Sequence, residues 1–150
     1  MKIYADTNFI TRLYLERPET IAAEDDFEFG VAPFPITWLL HAELINAFQL
    51  SVLSGYGEDQ RRITPEIAAA CQEQFRDDLR VGTVFESVTL PEADWLRQFE
   101  AISLRHASKQ GFRTYDLLHV SAALLLGCDA FWSFDKKACK LAKLEGLRTL

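Results

Sequence analysis

Strand-like and helical segments alternate along this sequence from end to end, and that alternation restricts the chain to α/β architectures with a mostly parallel sheet. Lys2 to Ala5 reads as a short strand ending at Asp6. Thr7 or Asn8 then caps a helix through Phe9, Ile10, Leu13 and Tyr14, which Pro18 ends. Glu24-Asp25-Asp26-Phe27-Glu28 reads as an acidic, solvated connector. Pro33 to Ile36 is a second strand, and Thr37 caps a helix from Trp38 to about Leu53 that stops at Gly55 and Gly57. Thr64-Pro65-Glu66 is a cap followed by proline at the first helical position, opening a helix to about Arg80 with a stop at Gly82. Val84 to Val88 is the third strand, and Pro91 opens a helix ending near Gly111. Thr114 caps the next helix, which runs to Gly127. Ala130 to Phe134 is a strand, Lys136 to Glu145 a helix, and Leu147 to Leu150 a last strand. No linker interrupts the pattern, so one domain over 1–150 is expected.

At 150 residues, 49% hydrophobic and 25% charged, the chain can bury a genuine core. Its longest mostly apolar stretch, Val120 to Cys128, is far short of the roughly 20 residues a membrane span needs, and the opening Met1-Lys2-Ile3-Tyr4-Ala5-Asp6 lacks a signal-peptide core. Cys71, Cys128 and Cys139 are odd in number and show no C-x-x-C spacing, which points to reduced thiols packed as small hydrophobes. A cytoplasmic protein is expected. The net charge of −6 is uneven: residues 1–75 carry 5 basic and 12 acidic side chains, a balance of −7, whereas residues 76–150 carry 11 and 10, a balance of +1. Acids that hold divalent cations lower the net charge without repelling a polyanion once loaded, so the total neither selects nor excludes nucleic acid.

Four acids stand where a carboxylate is costly. Asp6 lies at the carboxyl end of the first strand, the edge at which open parallel sheets bind ligands; a plain helix cap is the alternative. Asp135 repeats the situation after Ala130-Phe131-Trp132-Ser133-Phe134, with the same alternative. Glu43 falls inside the apolar stripe Leu39, Leu40, Leu44, Ala47 and Phe48, where an unpaired carboxylate needs a cation or strong donors; an edge position paired with Arg or Lys is the other possibility. Asp116 sits in the first turn of an otherwise apolar helix, where the helix N-terminus also favours it. Four oxygen donors gathered at one sheet edge suit Mg²⁺ or Mn²⁺ and not zinc.

On these acids and their neighbours the sequence resembles the PIN-domain nucleases, and more closely the VapC-type toxins of toxin–antitoxin pairs. The matching segments are Asp6-Thr7-Asn8-Phe9-Ile10, then His41-Ala42-Glu43-Leu44. The most specific is Tyr115-Asp116-Leu117-Leu118-His119-Val120-Ser121-Ala122-Ala123-Leu124, leading to Gly127-Cys128-Asp129-Ala130-Phe131-Trp132-Ser133-Phe134-Asp135. Between about Gly55 and Arg113 the likeness is only helical character, and Ser133 stands where threonine is commoner. The resemblance implies a PIN-like α/β/α sandwich with a mostly parallel sheet of about four to five short strands, an RNA substrate and metal dependence. It makes Asp6, Asp116 and Asp135 the main ligands, with Glu43 binding directly or through water. Asn8 and Ser133 would orient those carboxylates, and Thr7 would serve as a cap. Arg12, Arg113, Lys136 and Lys137 are the basic residues nearest the acids and the candidates for RNA contact, each with a solvated or dipole role as its alternative. His119 is expected to be a satisfied structural histidine, and Trp38, Trp95 and Trp132 core residues. A toxin would have a small antitoxin as partner and would pair as a homodimer, to which Phe48, Leu50, Val52 and Leu53 are candidate contributors, with burial in the monomer as the alternative.

Three rival readings remain at this point. A dehalogenase-like phosphohydrolase wants an acid two residues after the first, where Asn8 stands, and a lysine before the final acids that is not found. An RNA-processing nuclease that is no toxin would carry the same acids. An inactive PIN-like interaction module would fold alike and hold no metal.

Overall fold

The computed structural model describes residues 1–16 and 32–150; the stop at Pro18 and the acidic connector 24–28 lie outside them. Strand β1 (Ile3–Ala5) leads into α1 (Thr7–Glu16), and β2 (Phe34–Ile36) into α2 (Trp38–Leu53). Helix α3 (Pro65–Val81) precedes β3 (Phe85–Ser87). Then come α4 (Glu92–Gln110), α5 (Thr114–Leu125), β4 (Ala130–Trp132) and α6 (Lys136–Leu144).

The protein is α/β, mostly helical, with short parallel strands. β1 pairs with β4, setting Ile3 opposite Ala130 and Ala5 opposite Trp132; β2 pairs with β3, setting Phe34 opposite Phe85 and Ile36 opposite Ser87. Ile3, Tyr4, Ala5, Phe34 and Ile36 are all buried, as expected of strands covered on both faces. Among the described residues the named strands form two two-stranded ladders, not one sheet of four to five strands. A backbone bond from Ala32 N to Met1 O (3.3 Å) joins their flanks, and the expected last strand reduces to a bridge between Arg148 and Ala130. The reason is local. Asp6, Thr37 and Asp135 take up helix-capping roles immediately or shortly after β1, β2 and β4, so each strand ends after three residues.

Capping follows the sequence in two helices and departs from it in two. Thr37 accepts from Leu40 N and Thr64 from Ile67 N, both at 3.2 Å, and Gly82 closes α3 in the left-handed region. In α1, however, the cap is Asp6, whose Oδ1 accepts from Phe9 N at 3.1 Å. Thr7 and Asn8 are drawn away because their side chains reach Glu43 and Ser133 instead. In α5 the cap is Arg113 and not Thr114; Asp116 turns back to accept the Arg113 N–H at 3.3 Å.

One core runs through the elements, with Tyr14, Phe48, Phe75 and Phe85 fully or almost fully buried and packed edge to face or stacked. The α2 stripe is confirmed at Leu39, Leu40, Leu44 and Phe48. Burial removes Phe48 from any interface, whereas Leu50 and Leu53 are exposed. Trp95 is core and donates Nε1–H to Ser121 Oγ at 2.9 Å; Trp132 is half-buried against Phe9 and Phe34. Trp38 is not core: it is 73% exposed, because the first position of α2 lies off the stripe. The cysteines are free, as expected.

The turn after α2 depends on Gly55. Its φ is +78°, and a Cβ there would stand 2.2 Å from Gln60 O, within the loop closed by the Tyr56–Arg61 bridge. Gly55→Ala is expected to cost about 2 kcal/mol or more in urea unfolding, adding a backbone clash to left-handed strain. Gly57→Ala, whose nearest neighbour is 3.8 Å away, should cost about half as much.

Candidate functional site

Because β1 and β4 are parallel neighbours, their carboxyl ends lie at one edge; Asp6 N donates to Trp132 O at 3.0 Å. The residues that follow, Asp6 on one side and Ser133-Phe134-Asp135 on the other, therefore lie side by side. Helix α5 adds Asp116 from its first turn and His119 one turn later, and α2 adds Glu43 from its second turn. All of them line one cleft of about 1230 Å³.

Asp6 is buried. Its Oδ2 accepts from Asn8 Nδ2 at 3.2 Å, while Oδ1 caps α1. Burial pushes its carboxyl up to about 6, against the opposing pull of the Ser133 hydroxyl, the Phe9 N–H and His119, and with a further push from the Asp135 charge. Asn8 and Ser133 tie the two strand ends together. Asn8 Nδ2 also donates to Ser133 Oγ (3.2 Å), Asn8 Oδ1 accepts from Phe134 N (2.8 Å), and Ser133 Oγ accepts from Asp135 N (2.9 Å). Asp135 caps α6 through Oδ1, which accepts from Lys137 N (2.7 Å) and Ala138 N (3.2 Å). Burial raises the Asp135 carboxyl, but those two N–H groups and the Arg113 guanidinium together hold it below its ordinary value.

Arg113 joins the second pair of acids. Its Nη2 donates to Asp135 Oδ2 at 2.6 Å, and its Nε to Asp116 Oδ2 at 3.2 Å. The Asp116 hydrogen bond and charge, then Asp135, raise the guanidinium's already high pKa further. Glu43 is held separately: its Oε2 accepts from Thr7 Oγ1 at 2.8 Å and lies 2.5 Å from His119 Nε2. Burial raises its pKa, yet the His119 and Thr7 contacts bring the balance below the ordinary glutamate value.

The four acids thus share a cleft, but each already has internal donors. Among the described residues no three His, Cys, Asp or Glu side chains are drawn together as a metal-binding group. The donor set nonetheless fits a hard divalent cation in kind, since all four acids offer oxygen. A guanidinium bridging Asp116 and Asp135 marks the spot between them as favourable to positive charge.

The basic candidates separate. Arg12 lines the cleft, paired with Glu16 at 2.9 Å and lying 4.0 Å over the Phe134 ring. Arg113 is engaged with the acids. Lys136 faces the cleft, while Lys137 is not part of its lining. Lys140 and Lys143 do line it and were missed, although their spacing of four and seven from Lys136 is a helical face readable in the sequence. His119 was expected to be structural; its contact with Glu43 joins residues 76 positions apart, and no local pattern announces it.

No protein-family model matches this sequence, and no curated protein is similar enough to stand as a relative. Among the described residues no helix is long and apolar enough to cross a membrane.

Proposed function

We propose that the chain is a metal-dependent ribonuclease of the PIN type, with the corresponding α/β/α sandwich, that cleaves RNA phosphodiester bonds using Mg²⁺ or Mn²⁺. The observation that carries this reading is the arrival of Asp6, Glu43, Asp116 and Asp135 from four separate segments in one cleft, at the carboxyl ends of β1 and β4. The motif resemblance supplies RNA as the substrate and VapC-type toxin as the biological role. A small antitoxin, a homodimer and a cytoplasmic setting belong to the same proposal, with Leu50 and Leu53 the two of the four candidate interface residues that are exposed.

Asp6, Asp116 and Asp135 would hold the cation, with Glu43 joining directly or through water. When bound, it supplies a nucleophile at neutral pH and neutralises charge gathering on the scissile phosphate. The chain's own residues set the stage: Asn8 and Ser133 fix the spacing of the two strand ends, and the Lys136, Lys140 and Lys143 face offers the phosphates a track. Arg113 acts as the internal counter-ion and must release Asp116 and Asp135 for the cation to enter.

Two measurements test this. A labelled structured RNA pool is incubated with wild type and Asp116→Asn in Mg²⁺, Mn²⁺ or EDTA; cutting that needs metal and vanishes in the variant supports the nuclease. Calorimetry with Mn²⁺ is expected to show binding by wild type, up to about five-fold tighter in Arg113→Ala, since an exposed ion pair costs up to about 1 kcal/mol to displace. Neither cutting nor Mn²⁺ binding would overturn the enzyme and leave the inactive interaction module, a reading favoured by the internal donors each acid already holds.

A further inference from the structure

We propose that His119 is a positioning residue for Glu43: its Nε2–H clamps Glu43 Oε2, the Tyr4 hydroxyl steadies the far side of the ring, and Oε1 is left to face a cation. This rests on the nuclease reading, because it takes Glu43 to serve a divalent ion.

The geometry is a continuous chain of hydrogen bonds. Tyr4, fully buried in β1 and stacked on Phe131, places its hydroxyl 2.8 Å from His119 Nδ1. On the other side of the ring, Nε2 lies 2.5 Å from Glu43 Oε2. An ionised carboxylate has no hydrogen to give, so Nε2 is the donor. The Tyr4 hydroxyl, which can donate or accept, meets Nδ1 on the other side and holds the ring in place. Thr7 Oγ1 donates to the same Oε2 at 2.8 Å. Two donors on one oxygen fix the carboxylate's rotation, and Oε1 has no hydrogen-bond partner among the described residues. Glu43 is therefore held as a one-oxygen donor lining the cleft.

The other two histidines show what a purely structural role looks like here. His106 binds Glu145, away from the cleft, with Arg105 on the same carboxylate, and His41 stands edge-on to Phe75. Only His119 of the three lines the cleft and holds one of its acids. The arrangement is the familiar one in which an outer partner orients a metal-binding carboxylate, whose loss typically lowers metal affinity about 10–100-fold.

The test begins with the metal-free protein carrying ¹⁵N-labelled histidine. Long-range nitrogen–proton spectra should show a proton on His119 Nε2, in wild type and in Tyr4→Phe alike, because Glu43 faces that nitrogen in both. Mn²⁺ titration calorimetry then compares wild type, His119→Ala, His119→Gln and Glu43→Gln. Expected are about 10–100-fold weaker binding in His119→Ala, no further loss in the His119→Ala/Glu43→Gln double variant, and recovery in His119→Gln, whose amide can reach Oε2. Wild-type affinity in a folded His119→Ala, losses that simply add, or an Nε2 that carries no proton would overturn the proposal. If His119→Ala does not fold, His119→Gln and His119→Leu decide it: wild-type affinity in the first with weakened affinity in the second supports it, and equal affinity in the two overturns it. A wild type that binds no Mn²⁺ at all sinks the nuclease reading itself, a result distinct from a wild type that binds and a His119 variant that binds equally well.

Discussion

Asp6→Asn is expected to abolish the proposed RNA cleavage while making the metal-free protein more stable. The two effects have one cause. Asp6 is buried at a strand end with its carboxyl raised from 3.8 to about 6. A carboxyl raised on folding stabilises the native state fully only below its unfolded value, and that contribution is lost as pH rises through the folded one. At pH 7 the ionised Asp6 is therefore a net cost, about 3 kcal/mol at most when each pKa unit is worth about 1.4 kcal/mol. Asparagine keeps an oxygen to accept the Phe9 N–H and removes the charge. In EDTA the variant should melt roughly 3 to 10 °C higher at pH 7, and the difference should shrink toward nothing as pH falls from 6 to 4. Cleavage in Mg²⁺ or Mn²⁺ should drop by more than about 100-fold, beyond what loss of an outer partner costs. Loss of cleavage with lower stability would mean that Asp6 is a structural cap first.

Reversing the charge of Lys136, Lys140 and Lys143 together should cost RNA affinity on the order of 100-fold at low salt. The three stand on one exposed face of α6 along the cleft that holds the acids. Each phosphate contact with a single strand contributes about 0.7 to the slope of log affinity against log salt, so the slope should become shallower by about 2. Anisotropy of a labelled RNA in EDTA over a salt series reads both quantities. Lys137→Glu, whose residue is outside the cleft lining, is the matched control and should change little. An unchanged slope in the triple variant would rule α6 out as the proposed RNA track.

Local punctuation made much of this protein legible in advance. Thr37, Thr64-Pro65 and Gly82 delimit helices where sequence chemistry puts them, because a cap and its N–H partner are three residues apart. Asp6 and Asp135 were visible as strand-end acids for the same reason. What escaped was contact between distant segments. Thr7 reads as a cap until Glu43, 36 residues away, is placed within its reach. Arg113 reads as a phosphate binder until Asp135 is brought beside it across the start of α5. The continuous sheet failed for an energetic reason: three-residue strands make too few ladder bonds to outcompete the caps that end them.

Those caps also bear on how such a chain can change over generations. The first and last of the four acids, Asp6 and Asp135, start helices as well as lining the cleft. Asparagine and serine begin helices about as well as aspartate does. A copy that drifted to either residue at these points would keep a capping side chain at both helix starts. On the proposed nuclease reading, one substitution then separates a working enzyme from a stable decoy of the same shape.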